Sequence, residues 1–266
     1  MPPVLVDSHC HLHMLRAGDA HPRPYLSAAR EQGVGHFLTV CVDIESFPGL
    51  IRLVEEHSCI TTSVGVHPCG ENLRLPEIEE LVRLADHPRV VAIGETGLDY
   101  LCNDGPTDWQ HERFRHQVRA ARQARKPLII HSRGAPGDTA TILREEGADA
   151  VGGIIHCFTE DKAAARAFLD LDFHISLSGI LTFRNANMLR GVARYLPADR
   201  LLVETDCPYL TPAPHRGRQN EPAYVRRVAD CLATVRKESL ATTAAYTTAN
   251  FYRLFPTAPE PVVETR

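Results

Sequence analysis

Val4-Leu5-Val6-Asp7-Ser8-His9-Cys10-His11 joins a short aliphatic run to two histidines one residue apart. The run has the length and composition of a β-strand, and in an extended segment residues i and i+2 point to the same face. His9 and His11 therefore reach a single point just past the strand's C-terminal end, where a metal ion would sit. With Val4–Asp7 as the first strand, seven more short apolar runs follow: His36–Val42, Ile60–Val66, Val90–Glu95, Leu128–His131, Gly152–His156, Phe173–Leu177 and Leu201–Thr205. Helical patterns lie between them. Across Trp109–Arg125, Phe114, Val118, Ala121 and Arg122 recur at helical spacing, and Pro127 stops that helix before the fifth strand. A second pattern, Ala163–Leu171, leads into the seventh.

Strands alternating with helices make a parallel sheet with crossover connections, and eight such units in about 210 residues predict an α/β fold, the (β/α)8 TIM barrel. After the eighth strand a loop with Pro208, Pro212 and Pro214 leads to helical stretches at Glu221–Val235 and Leu240–Leu254. No longer internal repeat and no linker interrupts the pattern. One domain over residues 1–266 is expected, with a frayed Pro-rich tail from about 256 to 266.

Of the 266 residues 44% are hydrophobic and only one is Trp, which provides for a large, mostly aliphatic core. The formal net charge is −4, with both signs interspersed. That argues against non-specific coating of nucleic acid, which relies on many Lys and Arg contacts to phosphate, but leaves room for an enzyme holding a few nucleotides in a cleft. No basic segment followed by a long apolar stretch opens the chain, and no apolar run approaches the roughly 20 residues of a membrane span. The eight Cys, at 10, 41, 59, 69, 102, 157, 207 and 231, include no Cys-x-x-Cys pair. A chain this long needs no disulfide staples. A soluble, cytoplasmic protein with reduced thiols and no membrane partner is expected.

Functional residues of such barrels sit at the C-terminal ends of strands. Glu95 ends the fourth strand, His131 the fifth and His156 the sixth, and Asp206 follows the eighth. A lone His or Asp in such a place is ordinarily a hydrogen-bonding or turn residue. Six ligand-type residues at the ends of five strands, His9 and His11 included, point instead to a shared site on one rim. Four imidazoles and two carboxylates exceed the ligand set of one tetrahedral zinc. They suit two divalent ions a few Å apart, bridged by Glu95 because a carboxylate has two oxygens, and such a pair can clamp a phosphoryl or carbonyl group. His67, in Gly65-Val66-His67-Pro68, faces the same rim as a substrate contact or a structural residue. Other histidines, among them His36 and His174, read as structural or solvent-facing.

Taken together, Asp7-Ser8-His9-Cys10-His11-Leu12, Gly94-Glu95-Thr96-Gly97-Leu98-Asp99-Tyr100, Pro127-Leu128-Ile129-Ile130-His131-Ser132-Arg133, His156-Cys157-Phe158-Thr159, Glu204-Thr205-Asp206-Cys207-Pro208-Tyr209-Leu210 and Arg216-Gly217-Arg218-Gln219-Asn220-Glu221-Pro222 resemble the TatD family of metal-dependent deoxyribonucleases. The resemblance runs from about residue 4 to residue 255, in six separated blocks in the expected order. It implies a TIM-barrel hydrolase of the amidohydrolase-like superfamily with a one- or two-metal centre, and His9, His11, Glu95, His131, His156 and Asp206 as its ligands. It also implies metal-dependent DNA hydrolysis, often 3′–5′ exonucleolytic, while some relatives are linked to removing D-amino acids from mischarged tRNA. One departure is Gly134, which stands where the family usually carries an acidic residue.

The expected reaction is hydrolysis of DNA phosphodiester bonds, at single-stranded ends, by a metal-activated water. Asp206 is the general base and Glu95 the catalytic carboxylate that holds the metals. Arg133, Arg216 and Arg218 are candidates to grip phosphate oxygens. Asn220-Glu221-Pro222 reads independently as a helix start with Asn220 as N-cap. Four imidazoles favour zinc, nickel, cobalt or manganese over magnesium, although magnesium is commonly used with similar enzymes. One rival is hydrolysis of another ester on the same barrel, such as D-aminoacyl-tRNA, which apolar rim residues and no need for Arg grips would favour. The other is a non-catalytic, metal-stabilised scaffold.

Overall fold

A computed structural model describes residues 4–16, 22–102 and 107–260. Its strands are β1 (Leu5–Cys10), β2 (Val34–Thr39), β3 (Ile60–Val64), β4 (Val90–Asp99), β5 (Leu128–Arg133), β6 (Gly153–Ile155), β7 (Phe173–Leu177) and β8 (Leu201–Val203). They form one eight-stranded sheet in chain order, each pairing parallel with the next. The last strand returns to the first. Asp206 N–H donates to His9 O (2.9 Å), His11 N–H to Cys207 O (2.8 Å), and Ser8 Oγ to Val203 O (3.0 Å). This is the expected (β/α)8 barrel, and the bonds that close it lie among the candidate site residues.

The helices are α1 (Arg23–Glu31), α2 (Phe47–Glu56), α3 (Ile78–Ala85), α4 (Asp108–Ala124), α5 (Pro136–Glu145), α6 (Lys162–Leu169), α7 (Asn187–Tyr195), α8 (Val225–Arg236) and α9 (Leu240–Leu254). Asp161 caps α6 by accepting from Ala164 N–H (2.9 Å), and Ser239 caps α9 by accepting from Thr242 N–H (3.1 Å). The α4 helix ends at Arg125, whose backbone is left-handed, just ahead of Pro127. Phe251 and Phe255, both fully buried, join a cluster with Val6, Leu38, Ile129, Ile154 and Leu202 from five strands. Burial of a side chain such as Phe251 contributes about 1.5–3 kcal/mol. Ala258 packs into the same cluster, and residues 261–266 of the expected tail lie outside the described residues.

The α4 helix also turns polar groups inward, and these set the mouth of the barrel. Gln110 accepts from Asp99 N–H (2.8 Å) and donates to Asp99 O (2.9 Å), while Gln117 does the same for Val66 (2.8 Å each). The Arg113 guanidinium donates to the carbonyls of His67, Gly70, Glu71 and Leu73, fastening the loop after β3. Each bond satisfies a backbone group that no strand partner reaches.

Three local expectations are corrected. His9 lies inside β1 rather than past its end, because that strand runs on to Cys10. Glu95 lies mid-strand, since β4 continues to Asp99 with a register shift between Ile93 and Thr96. Glycines permit this: a Cβ on Gly94 would come within 2.6 Å of Ile129 O and one on Gly97 within 2.0 Å of His131 O. Asn220 is not the cap of α8, which begins only at Val225 after a 3-10 turn over Pro222–Tyr224. Instead, fully buried, it donates from Nδ2 to Thr205 O (2.8 Å) and Tyr209 O (2.6 Å) and so braces the loop after β8.

Candidate metal centre

At the C-terminal mouth, the six predicted residues converge with His67 in two groups that share Glu95. In the first, His9 Nε2 lies 3.3 Å from His11 Nε2, 3.3 Å from Glu95 Oε2 and 3.7 Å from Asp206 Oδ1. His11 Nε2 lies 3.4 Å from Asp206 Oδ1 and 3.7 Å from Glu95 Oε2. Four ligands at the usual ~2.0–2.1 Å from a tetrahedral ion stand about 3.3–3.4 Å apart, so this donor set fits a divalent ion. In the second group Glu95 Oε1 lies 2.8 Å from His156 Nε2, 3.0 Å from His131 Nδ1 and 3.3 Å from His67 Nε2. His131 Nδ1 and His156 Nε2 are 3.1 Å apart. Glu95 thus presents one oxygen to each group, as a bridging carboxylate must. His67, expected as a substrate contact, faces the Glu95 carboxylate.

Two carboxylates that sequence reasoning assigned no role sit directly behind the imidazoles. Asp99 Oδ2 accepts a 2.9 Å hydrogen bond from His131 Nε2–H, which leaves His131 Nδ1 as the lone-pair nitrogen turned to the centre. Fully buried Glu204 lies 3.4 Å from His156 Nδ1 and accepts from Cys157 N–H at 2.7 Å. A carboxylate behind a ligating imidazole fixes its tautomer and ring orientation. Asp99 was open to the alternation rule applied to His9 and His11, since it stands an even number of residues from Glu95 in the same strand, whereas Glu204 lies past the end of β8 where that rule does not apply.

Electrostatics keep the oxygen donors ionised. Burial pushes the Glu95 carboxyl up, but the facing imidazoles of His156, His67, His9 and His131 hold it well below the usual carboxylate range. Asp206 is likewise pushed up by burial and held low overall by its hydrogen bond to His11 and by the neighbouring imidazoles. Burial lowers His9 and His67 and so favours their neutral, ligand-ready forms. Burial also pulls on His156, yet Glu95 and Glu204 raise it well above its ordinary value. Asp206 takes a left-handed backbone (φ 57°), which is costly for a non-glycine residue but better tolerated by Asp than by most. Behind it Thr205 is locked by N–H and Oγ hydrogen bonds to buried Asp7, at 2.8 and 2.6 Å.

The cluster opens into a cavity of about 360 Å³ whose outer lining includes Met14, Val42, Asp43, Cys69, Leu73 and Tyr209. None of the three candidate phosphate-gripping arginines lines it. Arg133 is 59% exposed, with Nη1 3.7 Å from Asp99 Oδ2. Arg216 lies with its guanidinium 3.8 Å over the Phe183 ring and donates to Thr211 O, and Arg218 is exposed. Gly134 adopts a left-handed backbone (φ 67°) that suits glycine better than the acidic residue usual in the resemblance.

Of the two roles open to His36 and His174, structural or solvent-facing, the structure selects the first, with both buried in β2 and β7. The expectation of wholly reduced thiols fails at one pair: Cys69 and Cys102, 33 residues apart, are joined by a disulfide. The loops after β3 and β4 bring the two together, a proximity that spacing along the chain does not carry.

The family model described as TatD related DNase matches residues 6–256. The chain is 47% identical over 253 residues to the uncharacterized metal-dependent hydrolase YcfH of Escherichia coli, covering 94% of this chain and 95% of that protein. It is 34% identical to the 3'-5' ssDNA/RNA exonuclease TatD of Rahnella sp., over 85% of this chain and 89% of that one. The crystal structure of YjjV, a TatD homolog from Escherichia coli, superposes with a TM-score of 0.87 at 27% identity, covering 95% of this chain and 98% of its own. With its barrel, its shared Glu95 and the match across nearly its whole length, the chain belongs to the TatD-related DNase family.

Proposed function

We propose that this protein is a metal-dependent hydrolase that cleaves DNA phosphodiester bonds, removing nucleotides from single-stranded 3′ ends in the cytoplasm, with the whole chain acting as one catalytic unit. One observation carries the reading: Glu95 Oε2 faces His9, His11 and Asp206 while Oε1 faces His131, His156 and His67, inside one open cavity. The relative from Rahnella sp. that is named for this activity supports the substrate. His9, His11, Asp206 and Glu95 would hold one ion and Glu95, His131 and His156 a second, and nitrogen-rich donors favour zinc, nickel, cobalt or manganese, with magnesium as the catalytic alternative. Bound there, such ions polarise a phosphoryl oxygen and make a water acidic near neutral pH.

The remaining work falls to the chain itself. Asp206, kept ionised by His11, accepts a proton from the attacking water. Asp99 and Glu204 keep Nδ1 of His131 and Nε2 of His156 turned inward. Tyr209, 55% exposed at the mouth with its ring 6.3 Å from that of His11, offers a flat face to an entering base. Arg133 lies close enough to the rim to meet a phosphate outside the cavity.

A second reading is hydrolysis of an aminoacyl ester, with D-aminoacyl-tRNA as the example. It is favoured by the absence of Lys and Arg from the cavity lining among the described residues, together with apolar Met14, Val42 and Leu73. The decisive test incubates pure protein with each divalent ion on 5′-labelled single-stranded DNA and, separately, on D-aminoacyl-tRNA. A ladder shortening from the 3′ end supports the nuclease. Intact DNA with every ion, beside cleaved ester, refutes it. Among the described residues no helix is long and apolar enough to cross a membrane.

A further inference from the structure

The disulfide lies where it can act on the metal centre. Cys69 follows His67 by two residues in the loop after β3, and Cys102 follows Asp99 by three after β4. Their Cα atoms are 6.0 Å apart, within the ordinary disulfide range. Cys69 Sγ lies 3.6 Å from Asp99 Oδ2, the same oxygen that accepts the His131 Nε2–H bond. Cys69 also lines the cavity, so a small solvent-borne reagent reaches it, whereas Cys10, Cys41 and Cys207 are buried. Among the described cysteines, this pair alone is both joined and in contact with a residue that orients a candidate ligand.

We propose that Cys69 and Cys102 are a reversible oxidation site through which low-molecular-weight disulfides tune the metal centre. This rests on reading His131 as a metal ligand. The Cys69 thiolate attacks a sulfur of the small disulfide, forming a mixed disulfide and expelling one thiol. The Cys102 thiolate then attacks the Cys69 sulfur of that mixed disulfide, forming the Cys69–Cys102 bond and expelling the second thiol. Two electrons and two protons leave the protein on the two thiol products, and a small dithiol reverses the exchange.

The consequence follows from hydrogen-bond capacity. In the dithiol state the Cys69 S–H donates to Asp99 Oδ2 and competes with His131 for that oxygen. In the disulfide the sulfur has no hydrogen, so Oδ2 is left to His131 and, at longer range, to the Arg133 guanidinium. The bond also ties the loop that carries His67 to the strand end that carries Asp99. Both effects hold His131 Nδ1 toward the centre, and so oxidation tightens metal binding. Where the surroundings are reducing the bond is transient, as cytosolic disulfides ordinarily are, and the centre loosens.

The test uses the full chain stripped of metal by chelation. It is reduced, then either kept reduced or exposed to glutathione disulfide, and freed of small thiols. Thiol titration, intact mass and a non-reduced peptide map report the bond. Manganese is the probe because it has little affinity for thiols, and free Mn²⁺ is read by its paramagnetic resonance signal. The expected result is six thiols and a Cys69–Cys102 peptide after exposure, with manganese held about three- to tenfold more tightly than by the eight-thiol form, at the lower edge of what a carboxylate behind a ligand supplies. Cys102→Ser, which keeps the Cys69 thiol but cannot close the intramolecular bond, should bind manganese like the reduced chain before exposure, and after exposure its intact mass should show one glutathione retained on Cys69. Eight thiols after exposure, a different cross-link, or equal affinity in the two forms overturns the switch. If neither form binds manganese while the cross-link forms, the metal-centre reading fails and takes the switch with it.

Discussion

Replacing Asp99 with asparagine tests the centre at a residue outside both ligand groups. The substitution conserves size and shape. The amide oxygen of the new side chain can still accept from Leu101 N–H, a bond that Asp99 Oδ1 makes at 2.8 Å. Its amide nitrogen then faces His131 Nε2, where the carboxylate oxygen lay at 2.9 Å. Asp99 itself is a carboxylate at neutral pH: burial pushes its pKa up, but the His131 hydrogen bond, the Leu101 N–H and nearby positive charge hold it below its ordinary value. With an N–H donor in its place, His131 can relieve the clash of two donors only by moving its proton from Nε2 to Nδ1. Nδ1 is the nitrogen that stands 3.0 Å from Glu95 Oε1 and 3.1 Å from His156 Nε2, so the proton occupies the lone pair a metal would use. Loss of a carboxylate behind a ligating imidazole costs 10- to 100-fold in metal affinity, about 1.4–2.7 kcal/mol. Because the proton displaces a ligand's lone pair, the upper end of that range is expected. It should fall on one site only, since Asp206, His9 and His11 keep their partners. Titration of the metal-stripped chain against a competing chromogenic chelator should therefore show two binding steps in the wild type and one selectively weakened step in Asp99→Asn. Two steps each within twofold of wild type would refute the tautomer argument, provided the urea midpoint shows the variant folded.

Asp206→Asn should lower the turnover number on single-stranded DNA by about 10²- to 10⁴-fold, the usual worth of a positioned general base, while its melting temperature stays within a few degrees of wild type. Single-turnover cleavage at saturating metal is the check: unchanged cleavage would refute Asp206 as the general base, and no cleavage by either form would favour the non-catalytic scaffold. Stability should fall in acid because of two histidines far from the centre. Burial, with the charge of Arg89, holds His36 down at about 3, and burial, with the charges of Arg200 and Arg253, holds His174 at about 4. The unfolded chain, titrating near 6.5, binds the extra protons, so these contributions are complete above about pH 6.5 and are lost as pH falls toward 4 and then 3. At pH 5 each histidine should cost about 2 kcal/mol, the 1.5 units below 6.5 at about 1.4 kcal/mol per unit. Among the described residues neither ring nitrogen of His174 has a hydrogen-bond partner, so His174→Leu should shrink the drop between pH 7.5 and pH 5.0 in urea unfolding by that amount. An unchanged drop would show that His174 does not remain neutral in the fold.

The rim was legible from the sequence because a parallel barrel converts a one-dimensional regularity into a place. Every strand's C-terminal end reaches the same mouth, so His9, His11, His131, His156 and Asp206 could be grouped before any contact was known. Glu95 reaches the same mouth, but not from a strand end. It sits mid-strand, and the strand continues because Gly94 and Gly97 let the β5 backbone approach; isolated glycines inside an apolar run carry that signal. Asp99 is legible in principle by the same even spacing from Glu95, whereas Glu204 lies beyond the end of β8, where strand periodicity no longer sets direction. The disulfide was not legible, since it depends on how the loops after β3 and β4 pack, with Arg113 and Gln110 of α4 holding them. The same limit explains the arginines. A guanidinium on a rim loop goes where local packing sends it, and Arg216 lies over Phe183 rather than in the cavity. Candidate ligands carried on strands inherit their direction from the sheet, whereas candidate substrate contacts carried on loops do not. The candidate metal centre of this barrel can therefore be read from strand periodicity, while substrate choice falls to loop residues that periodicity does not address.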